Sequence, residues 1–137
     1  MVLVLRLKEG TYTIGSLESL KWFFVNALFL GVRSIFMDFI LLTPLSVIFY
    51  SMMGAKVDKG VQINSNSVAD LSLLEIGSGS VIGGNATVIG HIFERDGLKL
   101  MRVKIGKGVV IGLNSVIMSG AIIEEGAVIA AGAIVPK

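Results

Sequence analysis

Residues 105–135 read IGKGVV-IGLNSV-IMSGAI-IEEGAV-IAAGAI-V, and this stretch decides the fold. Ile105, Ile111, Ile117, Ile123, Ile129 and Val135 recur every sixth position without a slip. The same beat places Val57 and Ile63, then Ile76, Ile82 and Val88. Four residues after these aliphatics stands a small or slender side chain: Val61, Ser67, Ser80, Ala86, Val109, Ser115, Ala121, Ala127 and Ala133. Glycine follows at once (Gly77, Gly83, Gly106, Gly112) or three positions on (Gly60, Gly79, Gly108, Gly120, Gly126, Gly132). A period of six is neither helical nor hairpin-like, and short self-similar repeats stack into solenoids. The physical reading is a prism of short parallel strands. One large aliphatic per hexad fills the interior, the small residue sits near a corner, and glycine takes the turn. A twelfth interior slot is counted at Ala69.

This pattern resembles the hexapeptide-repeat acyltransferases over roughly Gly54 to Lys137. The resemblance implies a mainly β fold: a left-handed parallel β-helix of about four coils, preceded by an apolar α-helical segment. The left hand is a property of that family, since the general preference for right-handed crossovers predicts the opposite. Two domains are expected: residues 1–53, a strand and helical segment, and residues 54–137, the β-helix.

Composition narrows the chemistry. The 137 residues contain no cysteine, which removes disulfides, thiolate nucleophiles and Cys-based metal sites. The net charge of +2 comes without a basic cluster or interleaved aromatics, so nothing points to nucleic acid. Apolar residues make up 53% of the chain and mean hydropathy is +0.82. That excess is concentrated in residues 22–53, WFFVNALFLGVRSIFMDFILLTPLSVIFYSMM. The expected order is a strand over 2–8, a turn near Gly10 to Gly15, a helix from Leu17 to Val32, and a second from Ser34 to Thr43 that Pro44 breaks. Three settings for these helices stay open: a membrane span, a hairpin in the membrane interface, or a cap on the β-helix or a neighbouring subunit. Asp38 and Pro44 weigh against the span, since a mid-bilayer carboxylate costs about 2.5–3.5 kcal/mol. The opening Val2-Leu3-Val4-Leu5-Arg6-Leu7-Lys8 lacks the basic start and cleavage site of a signal peptide.

Two breaks interrupt the beat, at Asn66–Glu75 and between Val88 and Ile105. A solenoid tolerates insertions only as excursions from a corner, where function concentrates. His91, the only histidine, opens the second break after Thr87-Val88-Ile89-Gly90. In the galactoside- and maltose-acetyltransferase branch a histidine has the same setting, and the resemblance implies that His91 is the general base. It would deprotonate a hydroxyl or amine of a small acceptor as that group attacks acetyl-CoA. Imidazole suits the task because its ordinary pKa near 6.5 leaves it neutral yet basic at pH 7. By the same likeness Asp70 helps orient the acceptor, with Asn64, Asn66 and Ser67 as further hydrogen-bonding groups. Asparagine, serine and aspartate are also ordinary turn formers. Glu94, Arg95 and Asp96 read as a charged loop face.

On the donor side the resemblance implies acetyl-CoA or another acyl-CoA as co-substrate, no metal, and contacts at Gly112, Ala131 and Lys137. Val110, Leu113 and Pro136 depart from that branch, which often has Trp, Ser and Thr there, and the likeness stops at Lys137. A second resemblance is to the terminal β-helix segments of membrane-associated nonribosomal-peptide-synthetase-like proteins. It rests on Asp70-Leu71-Ser72-Leu73-Leu74-Glu75-Ile76-Gly77, on Gly90-His91, and on Gly54-Ala55-Lys56-Val57-Asp58, with Asp58 in a glycine slot. The expected protein is thus a cytoplasmic homotrimeric acyltransferase, peripheral at a membrane surface, with sites between neighbouring chains. The alternative is a non-catalytic trimeric or membrane-associated module. A zinc carbonic anhydrase, which shares the fold, is excluded because about three imidazole ligands are needed and one histidine exists.

Overall fold

The computed structural model describes residues 6–137. After β1 (Gly10–Tyr12) come α1 (Leu17–Ile40) and α2 (Pro44–Met52), then short strands to the C-terminal end. These are β2 (Lys56–Val57), β3 (Gln62–Ile63), β4 (Leu74–Ile76), β5 (Val81–Ile82) and β6 (Thr87–Val88). A hairpin follows, β7 (His91–Glu94) and β8 (Gly97–Leu100). The last run is β9 (Val103–Ile105), β10 (Val110–Ile111), β11 (Val116–Ile117), β12 (Ile122–Ile123), β13 (Val128–Ile129) and β14 (Ile134–Val135).

The chain visits three parallel sheets in rotation, in the orders β12-β9-β4-β2, β13-β10-β5-β3 and β14-β11-β6. Register follows the six-residue beat: Ile76 lies opposite Val57 and Ile105, Ile111 opposite Ile82 and Ile129, and Ile117 opposite Val88 and Val135. This is the architecture of a parallel β-helix. Ile63, Ile76, Ile82, Val88, Ile105, Ile111, Ile117 and Ile123 are all buried. Each buried aliphatic stabilises by about 1.5–3 kcal/mol relative to exposure, so the column is the main source of cohesion. The corner slots behave as expected. Ala86 and Ala121 are buried, and Ser80 closes its own hydrogen bonds, donating to the Gly106 carbonyl (2.7 Å) and accepting from Val109 N–H (3.0 Å).

The first break differs from the reading at Ala69. The interior residue is Val68, fully buried and bridged to Val88, while Ala69 is partly exposed. Ser65, not Ser67, is the buried small residue, and its hydroxyl donates to the Ala86 carbonyl (2.7 Å). The chain shortens one hexad to five residues and then takes up the slack in a 3₁₀ turn at Leu71–Leu73.

The helices also differ. Residues 17–40 form one helix: Ser34 does not interrupt it, because its hydroxyl donates to the Leu30 carbonyl one turn back (2.5 Å). The break falls at Leu42-Thr43, and Pro44 begins α2 rather than ending a helix. At that first position its missing N–H forfeits no bond, and Thr43 caps the turn by accepting from Leu45 N–H (3.2 Å). The strand expected over 2–8 lies partly outside the described residues, and residues 6–8 form none. The turn expected near Gly10 to Gly15 is confined to Ile14-Gly15, and Gly10–Tyr12 form β1, which pairs antiparallel with β8.

Phe29, Met37 and Tyr50 pack into the same core as Ile63, Val68 and Leu74, so α1 and α2 lie against the first turns of the β-helix. Tyr50 is fully buried and donates to the Ser65 carbonyl (2.8 Å). Burial pushes its phenol well above the usual tyrosine range. The opposite side of the helices is apolar and exposed, including Leu17, Phe24, Ile35, Phe36, Phe39 and Leu45. Among the described residues, α1 is the one helix long and apolar enough to cross a membrane, by length and composition.

Candidate active site

The second break is a β-hairpin, not an irregular loop. β7 and β8 pair from His91–Leu100 to Glu94–Gly97, with Arg95 and Asp96 at the tip. Gly97 has φ +120°, and a Cβ there would come within 2.2 Å of the Tyr12 carbonyl, so glycine lets β1 close on the hairpin. Leu98 and Leu100 bury against Leu7, Trp22 and Leu73, forming a second small core that fixes the hairpin on α1. Glu94 pairs with Lys99 across the hairpin, and this partner holds the Glu94 carboxyl below its usual range. Glu94, Arg95 and Asp96 are exposed, as a charged face should be.

His91 is the first residue of β7. Its Nδ1 lies 2.5 Å from Oδ2 of Asp70, whose side chain is fully buried. Asp70 sits in left-handed conformation (φ 54°, ψ 45°), which turns the carboxylate back toward the coil above. Gly90 permits the approach, since a Cβ there would meet the Asp70 and Leu73 Cβ atoms at 3.1 and 3.2 Å. The same Oδ2 accepts from Gly90 N–H (3.0 Å), while Oδ1 accepts from the Trp22 indole N–H (2.7 Å) and the Asn26 amide (3.4 Å). Surrounded by donors, the carboxylate acts as an acceptor, so Nδ1 of His91 is the donating nitrogen. Nε2 is then the basic one. A carboxylate on Nδ1 is a recurrent way to set imidazole tautomer and orientation. The ring is about one-quarter exposed and stands edge-on to Trp22, at 4.7 Å between centroids, with Phe93 at 6.2 Å.

The other expected site residues divide between two corners. Lys137 shares the His91 corner: Gly120, which follows Ser119, lies beneath it, and Ser119 donates to the Gly90 carbonyl (2.8 Å). Asn64, Gly112 and Ala131 form a different corner column, one third of a turn away. Asn64 N–H donates to the Ile82 carbonyl (3.0 Å), Gly83 stacks over Gly112, and Gly112 over Ala131. Asn66 follows in the Asn64 turn, where its side-chain oxygen accepts from Ser67 (3.4 Å). Gly112 is small for stacking: a Cβ would strike Ala131 N at 2.5 Å. Its N–H already donates to the Ile129 carbonyl (2.9 Å), and its own carbonyl accepts from Ser115 (2.8 Å). Ala131 is exposed.

Sequence reasoning missed Trp22, Asn26 and Gly90. The available signal was a polar Asn and the single Trp four residues apart on one face of an apolar helix. Among the described residues no group of three His, Asp or Glu side chains is placed to hold a metal.

Residues 102–137 match the family model described as the hexapeptide repeat of succinyl-transferase. These coils are hexapeptide repeats. The match supports membership of the hexapeptide-repeat acyltransferases, and strand stacking carries the same repeat back to β2 beyond the matched segment. No curated protein and no solved structure matches the chain.

Proposed function

We propose that this chain is an acyltransferase whose general base is Nε2 of His91, held in place by Asp70. The observation that carries the reading is the buried carboxylate on Nδ1, which leaves the other imidazole nitrogen for chemistry. Burying a carboxylate is costly unless donors surround it, and a bland corner turn has no need of that expense. The acceptor is a small molecule bearing a hydroxyl or amine. Its proton passes to Nε2 while its oxygen or nitrogen bonds to the acyl carbon, and the imidazolium then returns a proton to the departing thiolate. Asp70 stabilises that transient imidazolium and acts on His91 rather than on the acceptor.

Acetyl-CoA, or another acyl-CoA, supplies the activated thioester. The slender, half-buried column that ends at exposed Ala131 fits a pantetheine arm, and Lys137 offers a cation for a phosphate. The backbone of Gly112 is already engaged, so its part is to let the coils stack. In this reading the β-helix is left-handed with four coils, and the chain works as a homotrimer. A trimer would bring the Ala131 column of one chain, with Asn64 and Asn66, opposite the His91 corner of its neighbour. Exposed outward-facing Val110, Leu113 and Val128 give that assembly an apolar contact face. The exposed apolar side of α1 and α2 supports a peripheral position at the cytoplasmic membrane surface, with residues 1–53 serving as a cap on the β-helix. That same side favours the second reading, a non-catalytic membrane-associated trimer.

Thiol release from acetyl-CoA, measured with a panel of hydroxyl and amine acceptors, separates the two. His91→Ala should lower kcat by about 10²–10⁴-fold with acetyl-CoA binding retained. Failure of both proteins to bind acetyl-CoA, as intact trimers, would leave the module.

A further inference from the structure

Between α1 and the first turns of the β-helix lies a cavity of about 400 Å³, within the size range of small-molecule sites. Leu7, Val25, Phe29, Val32 and Leu71 make its walls predominantly apolar. Arg6 and Lys56, both exposed, bring positive charge to its lining. Leu28 belongs to the cavity and is also 45% exposed, so the cavity is continuous with the apolar outer side of α1. Asn26 and Asp70 lie at its inner end, on the far side of the carboxylate from His91.

We propose that this cavity receives one hydrocarbon chain of an anionic membrane lipid, its phosphate paired with Arg6 and Lys56. Three features select that occupant. The walls are predominantly apolar, and their polar side chains, Asn26, Asp70 and Ser72, already hold hydrogen bonds within the protein. The exposed charged groups of the lining are Arg6 and Lys56, the latter also paired with Glu75 (3.0 Å), and they suit a phosphate. The exposed apolar helix side supplies the path from a bilayer, where a chain exchanges lipid for protein at little cost. The inference rests on the membrane-surface placement proposed above and is independent of acyl transfer. A chain seated there packs on Val25 and Phe29, and so braces the helix turn that presents Trp22 and Asn26 to Asp70.

The lone tryptophan makes this testable, because all tryptophan fluorescence comes from Trp22, adjacent to the cavity. The full chain is mixed with vesicles of phosphatidylglycerol brominated on one acyl chain, and flotation and Trp22 quenching are read together. Val32→Phe fills the cavity while leaving the exposed apolar side unchanged. The expected result is flotation of both proteins, with strong quenching in wild type reduced at least threefold in Val32→Phe. Replacing the lipid by brominated phosphatidylcholine should reduce wild-type quenching severalfold, and Arg6→Gln with Lys56→Gln should abolish that preference. Flotation with equal quenching in wild type and Val32→Phe, or with none in either, would overturn the cavity while sparing the membrane placement. Absence of flotation would overturn the membrane placement, and the lipid with it. Equal quenching by the two head groups, both of which carry a phosphate, would overturn the selection of an anionic lipid.

Discussion

Asp70→Asn is the sharpest perturbation of the site, because the two side chains are nearly isosteric and differ in what they accept. Asp70 receives Gly90 N–H and His91 Nδ1 on one oxygen, and Trp22 and Asn26 on the other. Asparagine has one acceptor oxygen, so one pair of donors must face its NH₂ group. If the oxygen stays toward Gly90 and His91, the Trp22 indole is left opposite a donor in a buried setting. If the amide flips, Gly90 N–H loses its acceptor, and His91 can keep a bond only by accepting at Nδ1, which puts the proton on Nε2. Either arrangement strands a buried donor, at a cost of about 1–3 kcal/mol. The second also removes the free Nε2 on which the proposed base depends. Where that tautomer prevails, general-base assistance of about 10²–10⁴-fold is lost.

Because His91 is the only histidine, ¹⁵N-labelled protein yields a single pair of imidazole signals. Wild type should show the Nδ1–H tautomer near pH 8, and Asp70→Asn should shift it toward Nε2–H. Urea denaturation should show the stability loss, and turnover should fall with little change in the KM for acetyl-CoA. An Nε2–H tautomer in wild type, or an unchanged tautomer with full turnover in Asp70→Asn, would refute the assignment of Asp70 as the group that sets the base.

Three further outcomes follow from packing and charge. Tyr50→Phe removes the bond to the Ser65 carbonyl and should cost about 1–2 kcal/mol by urea denaturation, with His91 signals unmoved. Gly112→Ala drives a Cβ into the Ala131 backbone and should destabilise by about 1–3 kcal/mol, whereas a merely ligand-accommodating glycine would tolerate alanine in the free protein. Glu75 is held below the usual carboxylate range, first by the hydrogen bond from Lys56, which outweighs the opposing effect of burial, and then by Arg102. Its contribution is therefore complete above the unfolded value of about 4.3 and is lost as pH falls through the lower folded value. Urea midpoints measured from pH 6 to pH 3 should fall less steeply for Glu75→Gln than for wild type.

What could be read in the chain and what could not divide along physical lines. The interior column was legible because each aliphatic meets its counterpart one coil away, so the constraint recurs at every sixth residue. The slip from Ala69 to Val68 was not, since a five-residue hexad is compensated only by the later 3₁₀ turn. The hairpin was read as a loop because its charged tip hides the strands, which find their outer partner in β1 some 90 residues earlier. Pro44 marked a boundary correctly but not its side, since proline both begins and ends helices. His91 stood out by its position at a broken beat. Its orienting shell did not, for the indole and amide that satisfy Asp70 come from 48 and 44 residues away.

That shell also links the two halves of the molecule. Helix α1 buries Trp22, Phe29 and Met37 and leaves most of its remaining apolar side chains exposed. The residues it does commit to the β-helix include the two that hold the carboxylate behind His91. A helix needed only for adhesion would bury its stripe with aliphatics, since a polar pair to a buried carboxylate contributes less than well-packed apolar contacts and demands stricter geometry. The use of Trp22 and Asn26 at that point makes the position of the imidazole depend on α1 staying docked. Forces on the exposed side of α1, from lipid or from a partner chain, are thereby transmitted through one hydrogen-bonded layer to the His91 imidazole.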